Sequence, residues 1–110
     1  MAGVLRGEIW WADLDSVVGH EQAGLRPVLV LSPARLHQGV QVAIVMAVTS
    51  KSVLEPLGCQ LPNGLLPKPS WVKINQIRTI ALARFRGKLA LAPQDTMNKV
   101  LQLLNELIGE

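Results

Sequence analysis

The chain has 110 residues, 49% of them hydrophobic and only 17% charged, with a formal net charge of +3. That length supports a single domain, residues 1–110, and is too short for two. The longest uninterrupted apolar run, Val42 to Val48, excludes a membrane-spanning helix, which needs roughly 20 residues. Cys59 is the single cysteine, which excludes an internal disulfide and a thiolate zinc site, and it reads as a small core or loop residue.

The N-terminus, MAGVLRGEIWW, lacks the apolar stretch and small-residue cleavage site of a secretory signal, so a cytoplasmic protein is expected. So apolar a composition for a small soluble chain predicts surface buried against a second copy, a homodimer. The mild positive charge is compatible with a nucleic-acid or acidic-peptide partner. Arg78, Arg84, Arg86 and Lys88 cluster in the last third of the chain. Two readings of them stand side by side: a charged sheet edge that discourages strand pairing, and a phosphate-binding face.

Taken in chain order, the elements are strands first and a helix last. "EIWWAD" (8–13) is a short aromatic strand, whereas "PVLVL" (27–31) and "VQVAIVMAV" (40–48) are continuous apolar runs rich in β-branched residues. Between the last two, Ser32 can cap, Pro33 suits a first helical position and Gly39 a stop, which predicts one short helix. His37 falls in it and is expected on the surface. Four of the seven prolines lie between Lys51 and Ser70, predicting a loop with a short strand near Cys59 to Leu61. "WVKINQIRTIALA" (71–83) reads as one or two strands and "GKLALA" from Gly87 as the last. From Pro93 onward, Met97, Val100, Leu101, Leu104, Leu107 and Ile108 recur at helical spacing, an amphipathic helix packed on the sheet. Ala92 is its expected N-cap, and Leu103 is expected to point away from the stripe, either toward a partner subunit or as an ordinary exposed leucine. Short strands followed by a terminal helix make a mainly β fold, a small curved antiparallel sheet or barrel.

Five blocks occur in order: "RGEIWWADLD" (6–15), "GHEQAGLRPVLVLSP" (19–33), "VMAVTSK" (45–51), "NQIRTI" (75–80) and "LAPQDTMNKVLQLLNELI" (91–108). Together they resemble the MazF/PemK family of toxins over nearly the whole chain. The resemblance implies an SH3-like small barrel of the MazF/Kid/CcdB toxin type with a C-terminal helix, assembled as a homodimer. It implies a sequence-specific endoribonuclease that cuts single-stranded mRNA without a metal or other cofactor, held inactive by a cognate antitoxin. An antitoxin with an acidic, partly disordered tail suits a basic groove.

Metal-free cleavage of RNA uses the ribose 2′-hydroxyl as nucleophile and leaves a 2′,3′-cyclic phosphate and a 5′-hydroxyl. The enzyme supplies a proton acceptor, a proton donor and stabilisation of the phosphorane. Arg26 suits the last role, because a planar guanidinium holds two phosphate oxygens at once, and Thr49 can donate a hydroxyl hydrogen bond to another. The family pattern assigns catalysis to these two positions. His20 is the one residue near the motif whose ordinary titration lies near neutrality. It is read either as the proton-transfer group or as a loop histidine that shapes the groove. Glu21, Gln22, Ser50, Lys73, Asn75, Gln76 and Arg78 are the substrate-contact candidates. Some relatives carry an arginine and an aspartate, proposed as acid and base, where this chain has Lys73 and Asn75. An asparagine cannot accept the proton, while Lys73 can still bind phosphate.

Single-stranded RNA is expected between the segment 15–25 and the Pro-rich loop 51–70, with Trp10, Trp11 and Trp71 available for stacking. Trp10 and Trp11, adjacent on a strand, point to opposite faces, so one belongs to the core. Two rival readings remain. A gyrase-poisoning toxin of the same fold would act through its C-terminus, but the chain ends "LIGE" without a terminal tryptophan. An inert SH3-like nucleic-acid- or peptide-binding module would not need Arg26, Thr49 and the His20–Glu21 pair together.

Overall fold

The computed structural model of the chain describes residues 3–14 and 24–109. Six strands and two helices follow in the order β1 (Glu8–Asp13), β2 (Leu25–Val30), α1 (Ala34–Val40), β3 (Val42–Thr49), β4 (Gly58–Gln60), β5 (Trp71–Ala81), β6 (Phe85–Leu91) and α2 (Gln94–Ile108). A single turn of 3₁₀ helix, Leu82–Arg84, joins β5 to β6. The strands form one antiparallel sheet in the order β4-β5-β3-β2-β1-β6. Its outermost strands β4 and β6 do not pair with one another among the described residues, so the expected barrel is open along that seam.

The unbroken apolar runs of β2 and β3 have a direct cause: both faces of these central strands are covered. Leu29, Met46 and Val48 join Ile9, Val72, Ile74 and the α2 residues Met97, Val100 and Leu103 in one core. Val28, Val30, Ala43 and Val45 point the other way, into a second core with Val4, Ala12, Ile80 and Phe85. Successive residues of a strand alternate between faces, so two cores require an apolar residue at every position. Removing each such large side chain from water contributes about 1.5–3 kcal/mol.

β1 spans the expected residues, the other strand boundaries differ from the sequence expectation by at most two residues, and β5 is a single long strand. Its ladder with β3 breaks between Ile77, opposite Met46, and Val72, opposite Val48. At that break β5 turns to β4, where Lys73 pairs with Gly58. Gly58 is a position of close approach: a Cβ there would collide with the carbonyl and side chain of Val53. At the start of β1, Gly7 has φ of +90°, donates its N–H to the Val30 carbonyl (2.8 Å) and accepts from the Ala92 N–H (2.8 Å). That turn therefore ties β1 to β2 and to the entry of α2 in a conformation glycine adopts without strain.

Several expectations are corrected. His37 is not a surface residue but 5% exposed, its Nε2 2.8 Å from the Ser32 hydroxyl and its Nδ1 3.1 Å from the Val4 carbonyl. Ser32 does not cap α1, whose N-cap is Pro33; its hydroxyl instead accepts the Ile44 N–H at 2.9 Å and faces His37. The helix is only two turns long, so its inner face rests on β3 and the N-terminal segment and draws His37 inside. It passes through Gly39 and ends at Gln41, which takes the left-handed conformation (φ 60°). In α2 the cap is Pro93 and Ala92 is buried beneath it. Leu103, expected outside the stripe, is 2% exposed, whereas Ile108 is 74% exposed. The buried stripe runs Thr96, Met97, Val100 and Leu103, with Leu104 and Leu107 packed at its margin. It is rotated from the expected face toward Leu103, three residues after Val100 and so its neighbour on the next turn. None of the helices among the described residues is long and apolar enough to cross a membrane.

Candidate functional site

β1 and β2 bring Trp11 opposite Pro27 and Ala12 opposite Arg26. β2 and β3 pair Val28 with Ala47. Arg26 lies two residues before Val28 and Thr49, the last residue of β3, two residues after Ala47, so both stand at the same end of this strand pair. The ends of three adjacent strands thus converge, and a cleft of about 460 Å³ opens over them. Trp11, Pro27, Val48, Leu66, Pro67 and Leu89 give it apolar walls, and Arg26, Thr49, Ser50, Lys68 and Ser70 supply its polar groups. The lining holds two cations and no carboxylate among the described residues, so it favours an anion.

Arg26 is exposed, and one Nη1 hydrogen bond, to the Leu25 carbonyl at 3.0 Å, leaves the rest of its fork open to the cleft. The Thr49 hydroxyl oxygen accepts the Lys51 N–H at 3.1 Å, which fixes its position and leaves its hydrogen free to donate. Ser50 follows on the same rim. Trp11 is 38% exposed, and an indole this open on the face of a strand is a platform for a flat ring. Its neighbour Trp10 serves the core: it meets Phe85 edge-on at 5.7 Å and donates its Nε1–H to Glu8 Oε1 at 3.0 Å. The two faces of β1 therefore separate the tryptophans as their adjacency requires. Trp71 is half-buried opposite Thr49 and does not line the cleft.

The other candidates lie elsewhere. Lys73 is half-buried at the β4–β5 pairing, and Asn75, Gln76 and Arg78 are exposed along β5; none of the four lines the cleft. His20, Glu21 and Gln22 lie outside the described residues. Of the described residues nearest them in sequence, Leu14 donates its N–H to the Gly24 carbonyl at 2.7 Å, two residues before Arg26. Residue-by-residue reading passed over Lys68 and Ser70, although both fall in the loop expected to form the second wall. The available signal was a lysine held between Pro67 and Pro69.

Three basic groups outside the cleft hold the sheet together. Arg84 donates to the Asp13 carbonyl at 3.0 Å, Arg86 lies 3.6 Å from the Asp13 carboxylate, and Lys88 meets Glu8 at 3.0 Å. Arg86 and Lys88 lie on the outermost strand β6, whereas Arg84 is in the turn before it and Arg78 is on the interior strand β5, so the four do not share one sheet edge. Burial raises the Glu8 carboxyl, but hydrogen bonds from Trp10, Lys88 and the Leu5 N–H, with the charge of Lys88, outweigh it and hold the group below its ordinary value. Burial, and then the negative charge of Glu55, push the Cys59 thiol upward against the weaker pull of Lys99. A protonated, buried thiol is no nucleophile. Among the described residues no three His, Cys, Asp or Glu side chains gather where a metal ion could be held.

Comparison with known proteins places this cleft in context. The chain is 35% identical over 107 residues to endoribonuclease PemK of Escherichia coli, covering 94% of this chain and 80% of that one. It is 33% identical over 105 residues to endoribonuclease EndoA of Bacillus subtilis, covering 92% and 90%. The crystal structure of a MazE–MazF complex from Deinococcus radiodurans superposes with a TM-score of 0.84 at 31% identity, covering 96% of each chain. A family model described as PemK-like, MazF-like toxin of type II toxin–antitoxin system matches residues 5–108. A match over almost the entire chain, with this strand order and helix, shows that the protein belongs to the PemK-like, MazF-like toxins of type II toxin–antitoxin systems.

Proposed function

We propose that the protein is the toxin of a type II toxin–antitoxin pair and an endoribonuclease that cuts single-stranded mRNA at preferred sequences without a metal ion. The observation that carries this reading is the convergence of Arg26 and Thr49 from neighbouring strands on one cleft, over the exposed face of Trp11. A base stacks on the indole while the following phosphate meets the guanidinium. The ribose 2′-oxygen attacks phosphorus and its proton passes to a base. The bond to the 5′-oxygen breaks as that oxygen takes up a proton, leaving a 2′,3′-cyclic phosphate and a 5′-hydroxyl. Arg26 stabilises the phosphorane, Thr49 donates to one of its oxygens, and His20 carries the proton transfer.

The partners follow from the same reading. A disordered acidic segment of the cognate antitoxin satisfies Arg26 and Lys68 and excludes the RNA. Exposed apolar side chains such as Leu91 and Ile108, together with the 49% hydrophobic composition, support assembly as a homodimer. The expected place of action is the cytoplasm, where mRNA is translated. The decisive experiment is to incubate the purified protein with a long RNA in EDTA and to determine the product ends. Cyclic phosphate and 5′-hydroxyl ends are expected, and a 2′-deoxy nucleotide on the 5′ side of the scissile bond should abolish cutting. Binding without cleavage would assign an inert module. No action on RNA but loss of gyrase activity would assign a gyrase poison.

A further inference from the structure

The geometry points to Lys68 as a second phosphate-binding residue, which holds a neighbouring phosphate of the same RNA strand while Arg26 engages the scissile one. This rests on the reading of the cleft as the RNA site and extends it to the wall that the loop 61–70 contributes. Lys68 is exposed and lines the cleft with Arg26. Among the described residues it enters no ion pair, whereas Lys88 and Lys99 are paired with Glu8 and Glu55. Its charge is thus uncommitted.

Its backbone is not free to wander. Pro67 and Pro69 flank it; a proline fixes its own φ and confines the residue before it to extended conformations. Ser70, 7% exposed, donates its hydroxyl to the Lys68 carbonyl at 2.9 Å and accepts the Leu61 N–H on its own carbonyl at 2.8 Å. The Pro-Lys-Pro-Ser segment is therefore a rigid post clipped to the sheet. Holding the lysine over the cleft in advance lowers the entropy lost when it meets a phosphate. An ammonium is a point charge without the planar fork, which suits a spectator phosphate rather than a phosphorane.

The test uses a short RNA spanning a mapped cleavage site, with a 2′-deoxy nucleotide at the scissile position so that it binds uncut. Affinity is measured across salt concentrations for wild type, Lys68→Met and Lys68→Arg, and single-turnover cleavage is followed with the all-ribose strand. Losing one phosphate contact should lower the slope of log affinity against log salt by about 0.7 in Lys68→Met, with the slope restored in Lys68→Arg. The half-saturating concentration in cleavage should rise several-fold while the maximal rate stays within about twofold. An unchanged slope in a Lys68→Met protein that melts like wild type overturns the assignment. So does a fall in maximal rate with unchanged affinity, which would place Lys68 in the chemistry instead. The underlying reading fails separately: if folded Arg26→Ala still cuts at the wild-type rate, the cleft is not the cleavage site, whatever the slope at Lys68.

Discussion

Arg26 and Thr49 stand 23 positions apart in the chain and line one cleft because β2 and β3 lie side by side, Val28 paired with Ala47. In the proposed mechanism Arg26 stabilises charge that exists only in the transition state, so its loss should appear in the rate. Arg26→Ala is expected to lose on the order of 10²-fold or more in single-turnover cleavage with the melting temperature unchanged, and Arg26→Lys to recover little of it. The same assay across pH reports on His20. A wild-type rate that rises through an ionisation near 6.5 should lose that ionisation in His20→Gln, together with about 10²- to 10⁴-fold in rate. An unchanged profile would leave His20 a groove-shaping residue and assign proton uptake to solvent.

Among the elements, α2 shows how far periodicity reaches. Six apolar positions marked a helix correctly, yet which flank of that stripe faces the sheet depends on what the sheet presents. Leu103 closes the first core beside Val100 and Met97, while Leu101 is only half-buried. Leu103→Ala should cost about 2–5 kcal/mol in urea unfolding, and Leu101→Ala distinctly less. Equal losses would mean that the helix sits rotated from the orientation described. A comparable lesson comes from α1, where Ser32 and His37 read locally as a cap and a surface residue. The buried contact with Val4, 33 residues away, turned both into interior hydrogen-bonding groups.

At the level of the whole molecule, Glu8 joins both ends of the fold: the N-terminal turn through Leu5, β1 through Trp10 and the outermost strand β6 through Lys88. Its carboxyl is held below the ordinary value of 4.5, so the folded state binds its proton less readily than the unfolded chain does. The stabilisation is therefore fully present above 4.5 and is lost as the pH falls from there through the lowered folded value. Glu8→Gln should lower stability by about 1–2 kcal/mol at pH 7, with the exposed Lys88 end contributing least of that. The gap between mutant and wild type should close under acid. Urea unfolding at pH 7 and at pH 3 measures it, and a gap that persists at pH 3 would show that the Glu8 charge is not its source.

The strands and the terminal helix were legible in the sequence, because apolar periodicity is a property of neighbouring residues, whereas Arg26 and Thr49 were singled out by the family pattern and the chemistry of their side chains. Cys59 was legible for a related reason: a lone small apolar residue beside a strand is most stable inside. The packing partner of each face was not legible, since two cores on opposite sides of one sheet make Val28–Val30 of β2 and Val42–Val48 of β3 apolar throughout and erase the alternation that would assign a side. The Pro-rich loop was expected as the second wall of the cleft, but which of its residues reach it was not legible. Lys68 and Ser70 lie far along the chain from Arg26, and only the return of the loop 61–70 onto the strand ends brings their charge and hydroxyl to the same space. Tertiary structure alone separated Trp11 from Trp10, because their exposure depends on Phe85 and Glu8 claiming one indole and leaving the other open.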